Sequence, residues 1–104
     1  HIRNVRNKNM TKVIHKYTLR GSFGCEDIAM PIGAKIIAAN EQNGKLVVWA
    51  EVDMHDADPS NTHQMKTFYV LGTGEPIPDT IELEHVATIV SYMLVFHIYK
   101  IKGQ

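Results

Sequence analysis

The stretch Ala34-Lys-Ile-Ile-Ala-Ala-Asn-Glu-Gln-Asn-Gly-Lys-Leu-Val-Val-Trp-Ala-Glu-Val-Asp53 decides the fold. Asn43-Gly44 sits between two arms rich in β-branched residues, as a two-residue type I′ hairpin requires, because both central residues of that turn need positive φ. So short a loop fixes the register of its arms. Gln42 then faces Lys45, Asn40 faces Val47, and Ala38 faces Trp49, where the small alanine leaves room for the indole. On the opposite face Ala39 meets Val48 and Ile37 meets Ala50. Both faces of this hairpin are apolar, with Ile36, Ala38, Val47 and Trp49 on one and Ile37, Ala39, Leu46, Val48 and Val52 on the other.

Runs of the same character lie on either side, separated by turn clusters at 21–24, 56–61 and 72–79. Upstream, Lys12 to Leu19 alternates, with Val13, His15, Tyr17 and Leu19 on one face. A short run at Asp27 to Met30 is ended by Pro31, which cannot donate to a ladder. Downstream, His63 to Leu71 sets Lys66, Phe68 and Val70 against Met65, Thr67 and Tyr69. Thr80 to Val90 fits both periods: Leu83, Val86, Ala87 and Val90 match a helix, while Ile81, Leu83, His85, Ala87 and Ile89 alternate. Its β-branched content points to a strand, joined through Ser91-Tyr92 to a last strand at Met93 to Ile101. The expectation is all-β: a small antiparallel β-sandwich or partly open barrel of six or seven strands, with mostly local connections.

At 104 residues, 44% of them apolar and 21% charged, the chain is one globular domain in size and balance. No run approaches the ~20 apolar residues of a membrane-spanning helix, so no membrane is expected. A single cysteine, Cys25, excludes an internal disulfide. Residues 1–9 hold Arg3, Arg6 and Lys8 and no acid. They read as an appended or disordered leader ahead of a single β domain at 10–104. In that domain acids outnumber bases, which makes nucleic acid an unlikely partner.

Several landmarks together resemble a family of small uncharacterised phage and prophage proteins. They are Lys12-Val-Ile-His-Lys-Tyr-Thr-Leu19, Met30-Pro-Ile-Gly-Ala-Lys-Ile36, Gln42-Asn-Gly-Lys-Leu46, Trp49-Ala-Glu-Val-Asp53, Thr67-Phe68, Gly72-Thr-Gly-Glu-Pro-Ile-Pro78 and Leu94-Val-Phe-His97. The likeness runs through residues 11–100 in order. It implies origin in a mobile element and a bacterial cytoplasm as the compartment. It brings no catalytic residues.

Candidate chemistry is sparse. The glycines of Gly72, Thr73 and Gly74 free backbone amides for a small anion, with Lys66 as the accompanying cation. A phosphate-binding loop would also need a lysine and a following helix, and Glu75 repels phosphate. Asp53, His55, Asp58 and His63 concentrate possible metal ligands, but at no standard spacing, and a solvated loop is the simpler reading. His15 and His97 are read as a cross-strand pair, more simply structural than catalytic. Cys25, placed in a glycine-rich turn, lacks a base to activate it. Trp49, Tyr17, Tyr69 and Phe96 are either core or a stacking platform, and core is the simpler reading.

The function expected is that of a non-enzymatic binding or accessory protein of a mobile element, acting on a host protein or a small ligand without a cofactor. A virion structural or assembly component and a metal-dependent hydrolase using the Asp53–His63 cluster are the alternatives. Apolar residues on both faces of the central hairpin and last strand lead to a homodimer or small homo-oligomer, with Trp49, Val47, Phe96 and Ile98 as interface candidates.

Overall fold

The structure is a computed structural model that describes residues 12–20, 23–53 and 63–104. Seven strands follow one another: β1 (Lys12–Thr18), β2 (Gly24–Pro31), β3 (Lys35–Gln42), β4 (Lys45–Asp53), β5 (His63–Leu71), β6 (Leu83–Ser91) and β7 (Leu94–Ile101). There is no helix among the described residues. A three-stranded sheet has the order β1-β4-β3 and a four-stranded sheet the order β2-β5-β7-β6. Every pairing is antiparallel, and the sheets form a small open sandwich rather than a closed barrel.

Period-two alternation supplies the core. β4 turns Leu46, Val48, Ala50 and Val52 inward, and the other sheet answers with Met30, Phe68, Val70, Phe96 and Ile98. Phe68, Met30, Ile98 and Val48 are fully buried, each contributing roughly 1.5–3 kcal/mol of transfer free energy. Phe23 stacks on Phe96 with ring centroids 5.0 Å apart and covers one end of this core.

The hairpin at the centre of the sequence forms as expected. Asn43 and Gly44 have φ of 53° and 78°. Gln42 pairs with Lys45, Asn40 with Val47, Ala39 with Val48 and Ala38 with Trp49. Beyond Ala38 a bulge intervenes, so Ile36, not Ile37, pairs with Ala50 and packs on the core, while Ile37 is exposed. A second bulge between His85 and Ala87 in β6 places both Val86 and Ala87 against the core.

Other expectations need correction. Connections are not mostly local: β1–β4, β2–β5 and β5–β7 join strands distant in sequence, and only β3–β4 and β6–β7 are hairpins. β2 is longer than its apolar run, because Gly24, at φ 131°, already starts the ladder opposite Val70. Cys25 therefore lies on a strand opposite Tyr69 rather than in a turn. The helix-compatible segment is strand β6 from Leu83. The turn that follows holds Tyr92 and Met93, closed by the Ser91–Leu94 pair, with Tyr92 at φ 54°.

Candidate ligand site

On the inner face of the four-stranded sheet, β5 presents Lys66 before Phe68 and Val70, and β7 presents Lys100 after Phe96 and Ile98. Strand alternation thus carries two lysines into apolar register. Lys66 is 3% exposed and Lys100 8%. Lys66 Nζ donates to the main-chain oxygen of Gln104 at 2.6 Å, and Lys100 Nζ donates to the same oxygen at 3.2 Å. Lys100 also pairs with Glu84 Oε1 at 2.7 Å, from the neighbouring position on β6, and donates to the Ile101 carbonyl at 3.0 Å.

These groups open into a cavity of about 370 Å³ between the two sheets. The start of β3 forms the opposite wall through Ala34, Lys35 and Ile36, and His85 stands at the rim beside Glu84. Three lysines and one acidic side chain, with the main chain of Gln104, line the space. Burial lowers the proton affinity of Lys66, the Lys100 charge lowers it further, and Glu84 opposes both. The hydrogen bond from Lys100 and then its charge hold Glu84 below the usual carboxylate range. Lys100 pairs with the Glu84 carboxylate, and both lysines reach the main-chain oxygen of Gln104.

A second recess, of about 200 Å³, lies under the Gly72–Ile77 loop, against Leu71, His97 and Tyr99. Glu75 Oε1 accepts from the Gly72 amide at 2.7 Å and so satisfies an amide that an anion would need. Thr73 Oγ1 is 2.7 Å from His97 Nε2. A track of hydrogen bonds continues from His97 Nδ1 to Thr88 Oγ1 at 3.0 Å and from Thr88 to His85 Nε2 at 2.9 Å. His85 lines the larger cavity, so this track runs from one recess to the other.

The sequence pattern of one family, described as a domain of unknown function (DUF7352), matches residues 10–104. The chain belongs to the DUF7352 family. No curated protein and no solved structure matches it. Two of the landmarks read from this DUF7352 sequence, Gly72-Thr73-Gly74 and His97, meet in the smaller recess through the Thr73–His97 bond.

The residues expected to bind a ligand are divided in this DUF7352 domain. Gly72, Thr73 and Gly74 line the smaller recess and Lys66 the larger. Lys100, Lys35 and Glu84 were missed. For Lys100 the signal was present, since it continues the Phe96–Ile98 alternation. Of the metal candidates, Asp53 ends β4 and His63 begins β5, while His55 and Asp58 lie outside the described residues. No group of three or more metal-ligating side chains occurs among the described residues.

His15 and His97 do not pair, because β1 and β7 belong to different sheets. His15 Nδ1 instead stands 3.5 Å from the Tyr17 hydroxyl. Trp49, Tyr17, Tyr69 and Phe96 form no common platform: Phe96 is buried in the core, Tyr17 packs against it, and Trp49 lies on the other sheet from Tyr69. Of the interface candidates, Val47, Phe96 and Ile98 are already buried within one chain, and Trp49 is half-buried.

Proposed function

We propose that this protein is a non-enzymatic binding module whose ligand is a small anion, a carboxylate or a phosphate, taken into the cavity between the sheets. The observation that carries this reading is the pair of buried lysines, Lys66 and Lys100, facing a cavity lined by three lysine side chains and one acidic side chain. Burying two ammonium groups side by side is unfavourable for folding, and apolar residues of similar size would serve the fold as well or better. A ligand that brings negative charge offsets that cost. The role of such a module as an accessory of a mobile element, in a bacterial cytoplasm, rests on the motif resemblance alone and belongs to the same proposal.

Titration with inorganic phosphate and with a dicarboxylate at constant ionic strength tests it. Ligand at a hundred times Kd adds about 2.7 kcal/mol of stability, which in a domain of this size raises Tm by roughly 10 °C or more. Lys66→Met and Lys100→Met should lose the response. A wild-type Tm indifferent to both anions refutes the reading.

A second reading, self-association, is supported by the β6–β7 turn. Tyr92 is 99% and Met93 97% exposed, beside exposed Val90 and Leu94. Light scattering after size exclusion checks it. A mass near one chain at micromolar concentration would dismiss it, and a change of Tyr92 and Met93 to serine should dissociate any dimer that forms.

A further inference from the structure

Gln104 already sits on the two buried lysines, and the way it sits describes what the site reads. The Lys102 amide donates to the Glu82 carbonyl at 2.9 Å and fastens the end of β7 beside the start of β6. Gly103, at φ 87°, then turns the chain back, and the Gln104 amide donates to the Ile101 carbonyl at 3.4 Å. This turn delivers Gln104 to the cavity with two acceptors in use. Its main-chain oxygen accepts from Lys66 Nζ at 2.6 Å and from Lys100 Nζ at 3.2 Å. Its side-chain Oε1 accepts from the Thr67 amide at 2.5 Å. Thr67 lies one residue before the Phe68–Leu71 stretch that pairs with β7, so the carboxamide stands where a strand neighbour would. Between the two acceptors runs the five-carbon skeleton of glutamine. Lysines at one end and a main-chain N–H at the other thus form a gauge of fixed span. A carboxylate accepts a hydrogen bond more strongly than a carboxamide does.

We infer that the ligand of this cavity is a five-carbon α,ω-dicarboxylate that takes the place of Gln104. The inference rests on the anion reading of the same cavity and names the class of anion. One carboxylate takes the position of the Gln104 main-chain oxygen, on Lys66 and Lys100. The other takes that of Oε1, on the Thr67 amide. Lys35 adds a third lysine to the lining, and Glu84 stays with Lys100 at 2.7 Å. Phosphate or a shorter dicarboxylate reaches the lysines but not the Thr67 amide at the same time. Gln104 is tethered, so its local concentration is on the order of millimolar or above, and it competes with the ligand. A site open about a tenth of the time binds about tenfold more weakly than one always open. Residues 102–104 are therefore a strap that the fitting ligand displaces.

The test titrates glutarate, malonate and inorganic phosphate, at constant ionic strength, into isotope-labelled wild type and Gln104→Gly, with the Thr67 amide resonance as the reporter. Glutarate should bind about tenfold more tightly than malonate, as one added charge-assisted hydrogen bond would give. It should shift the Thr67 resonance, and malonate should not. Gln104→Gly should bind glutarate about tenfold more tightly than wild type does. Gly103→Ala loosens the strap in a second way, through backbone conformation alone, since a Cβ there would meet nothing within 4 Å. It should tighten glutarate binding in the same direction. Equal affinities for glutarate and malonate, alongside an intact phosphate response, overturn the five-carbon ligand and spare the anion site. A Thr67 resonance that glutarate leaves unmoved does the same. Glutarate affinity unchanged in both strap variants overturns the displacement of Gln104. No response of the wild type to any of the three anions overturns the ligand and the anion site together.

Discussion

His97 Nε2 stands 2.7 Å from Thr73 Oγ1, and this contact ties the Gly72–Pro78 loop to β7. The same imidazole reaches Thr88 through its other nitrogen, at 3.0 Å. His97→Ala therefore removes two hydrogen bonds at once. At about 0.5–1.5 kcal/mol each, less solvent compensation at this exposed site, the loss should be about 1 kcal/mol. Thr73→Val should cost less, because the Thr88 bond survives. Amide exchange in residues 72–78 should quicken in both variants, and unchanged exchange would show that the loop holds itself.

Lys66 makes stability depend on pH with a definite sign. Its proton affinity in the fold lies below the ordinary value near 10.5, first through burial and then through Lys100. Between the folded and unfolded values the unfolded chain binds more protons, so stability rises with pH across that window. The penalty is complete below the folded value and is gone above 10.5. Lys66→Met lacks this dependence and should be equal to or about 2 kcal/mol more stable than wild type at pH 7. The difference should shrink as pH approaches 10. Urea unfolding of both proteins at several pH values measures it, and a constant difference contradicts the assignment.

The β3–β4 and β6–β7 turns both hold residues at positive φ, with opposite consequences for substitution. A Cβ on Gly44 would meet nothing within 4 Å, so Gly44→Val is penalised by backbone conformation alone, at about 1–3 kcal/mol. Tyr92 already bears such a strain at φ 54° with its side chain in solvent. Tyr92→Gly should be neutral or raise stability by up to about 1 kcal/mol. A melting temperature lowered by Tyr92→Gly would mean that the ring makes a contact this fold does not provide.

Phe96 and Trp49 separate the inner and outer faces of the sandwich. Phe96 is buried and stacked on Phe23, so Phe96→Glu buries an unpaired charge and should unfold the chain. Trp49 is half-buried on the outer face of β4, flanked by Lys16 and Ala38. Trp49→Glu should retain a folded sheet by circular dichroism. Unfolding of both variants would contradict this placement of the two faces.

The strands were legible because β-branched alternation and turn residues are local signals. The register of β3 with β4 was legible as far as Ala38, because a two-residue turn dictates it. It failed at Ile36 and Ile37, where a bulge answers to packing against the other sheet rather than to local pattern. The β5–β7 pairing is tertiary, and with it the meeting of Lys66 with Lys100 and of Thr73 with His97. No spacing in the sequence announces that residues 66 and 100 share an acceptor. One of the two buried lysines of the cavity was still readable in outline, since Lys66 stood in register with Phe68 and Val70.

The bulges in β3 and β6 bear on how the molecule behaves in a crowd. Among the described strands, β1 and β3 are the outermost of one sheet and β2 and β6 of the other. A regular free edge is a template for another chain's strand and for fibril growth. On β3 the hydrogen-bonding rhythm breaks at Ile36–Ala38 and on β6 at His85–Ala87. β2 ends in Pro31, which has no amide hydrogen to offer, and β1 carries Lys12 and Lys16 along its length. Three kinds of obstacle to strand addition thus fall on the four edges: a broken rhythm on β3 and β6, a proline on β2 and lysines on β1.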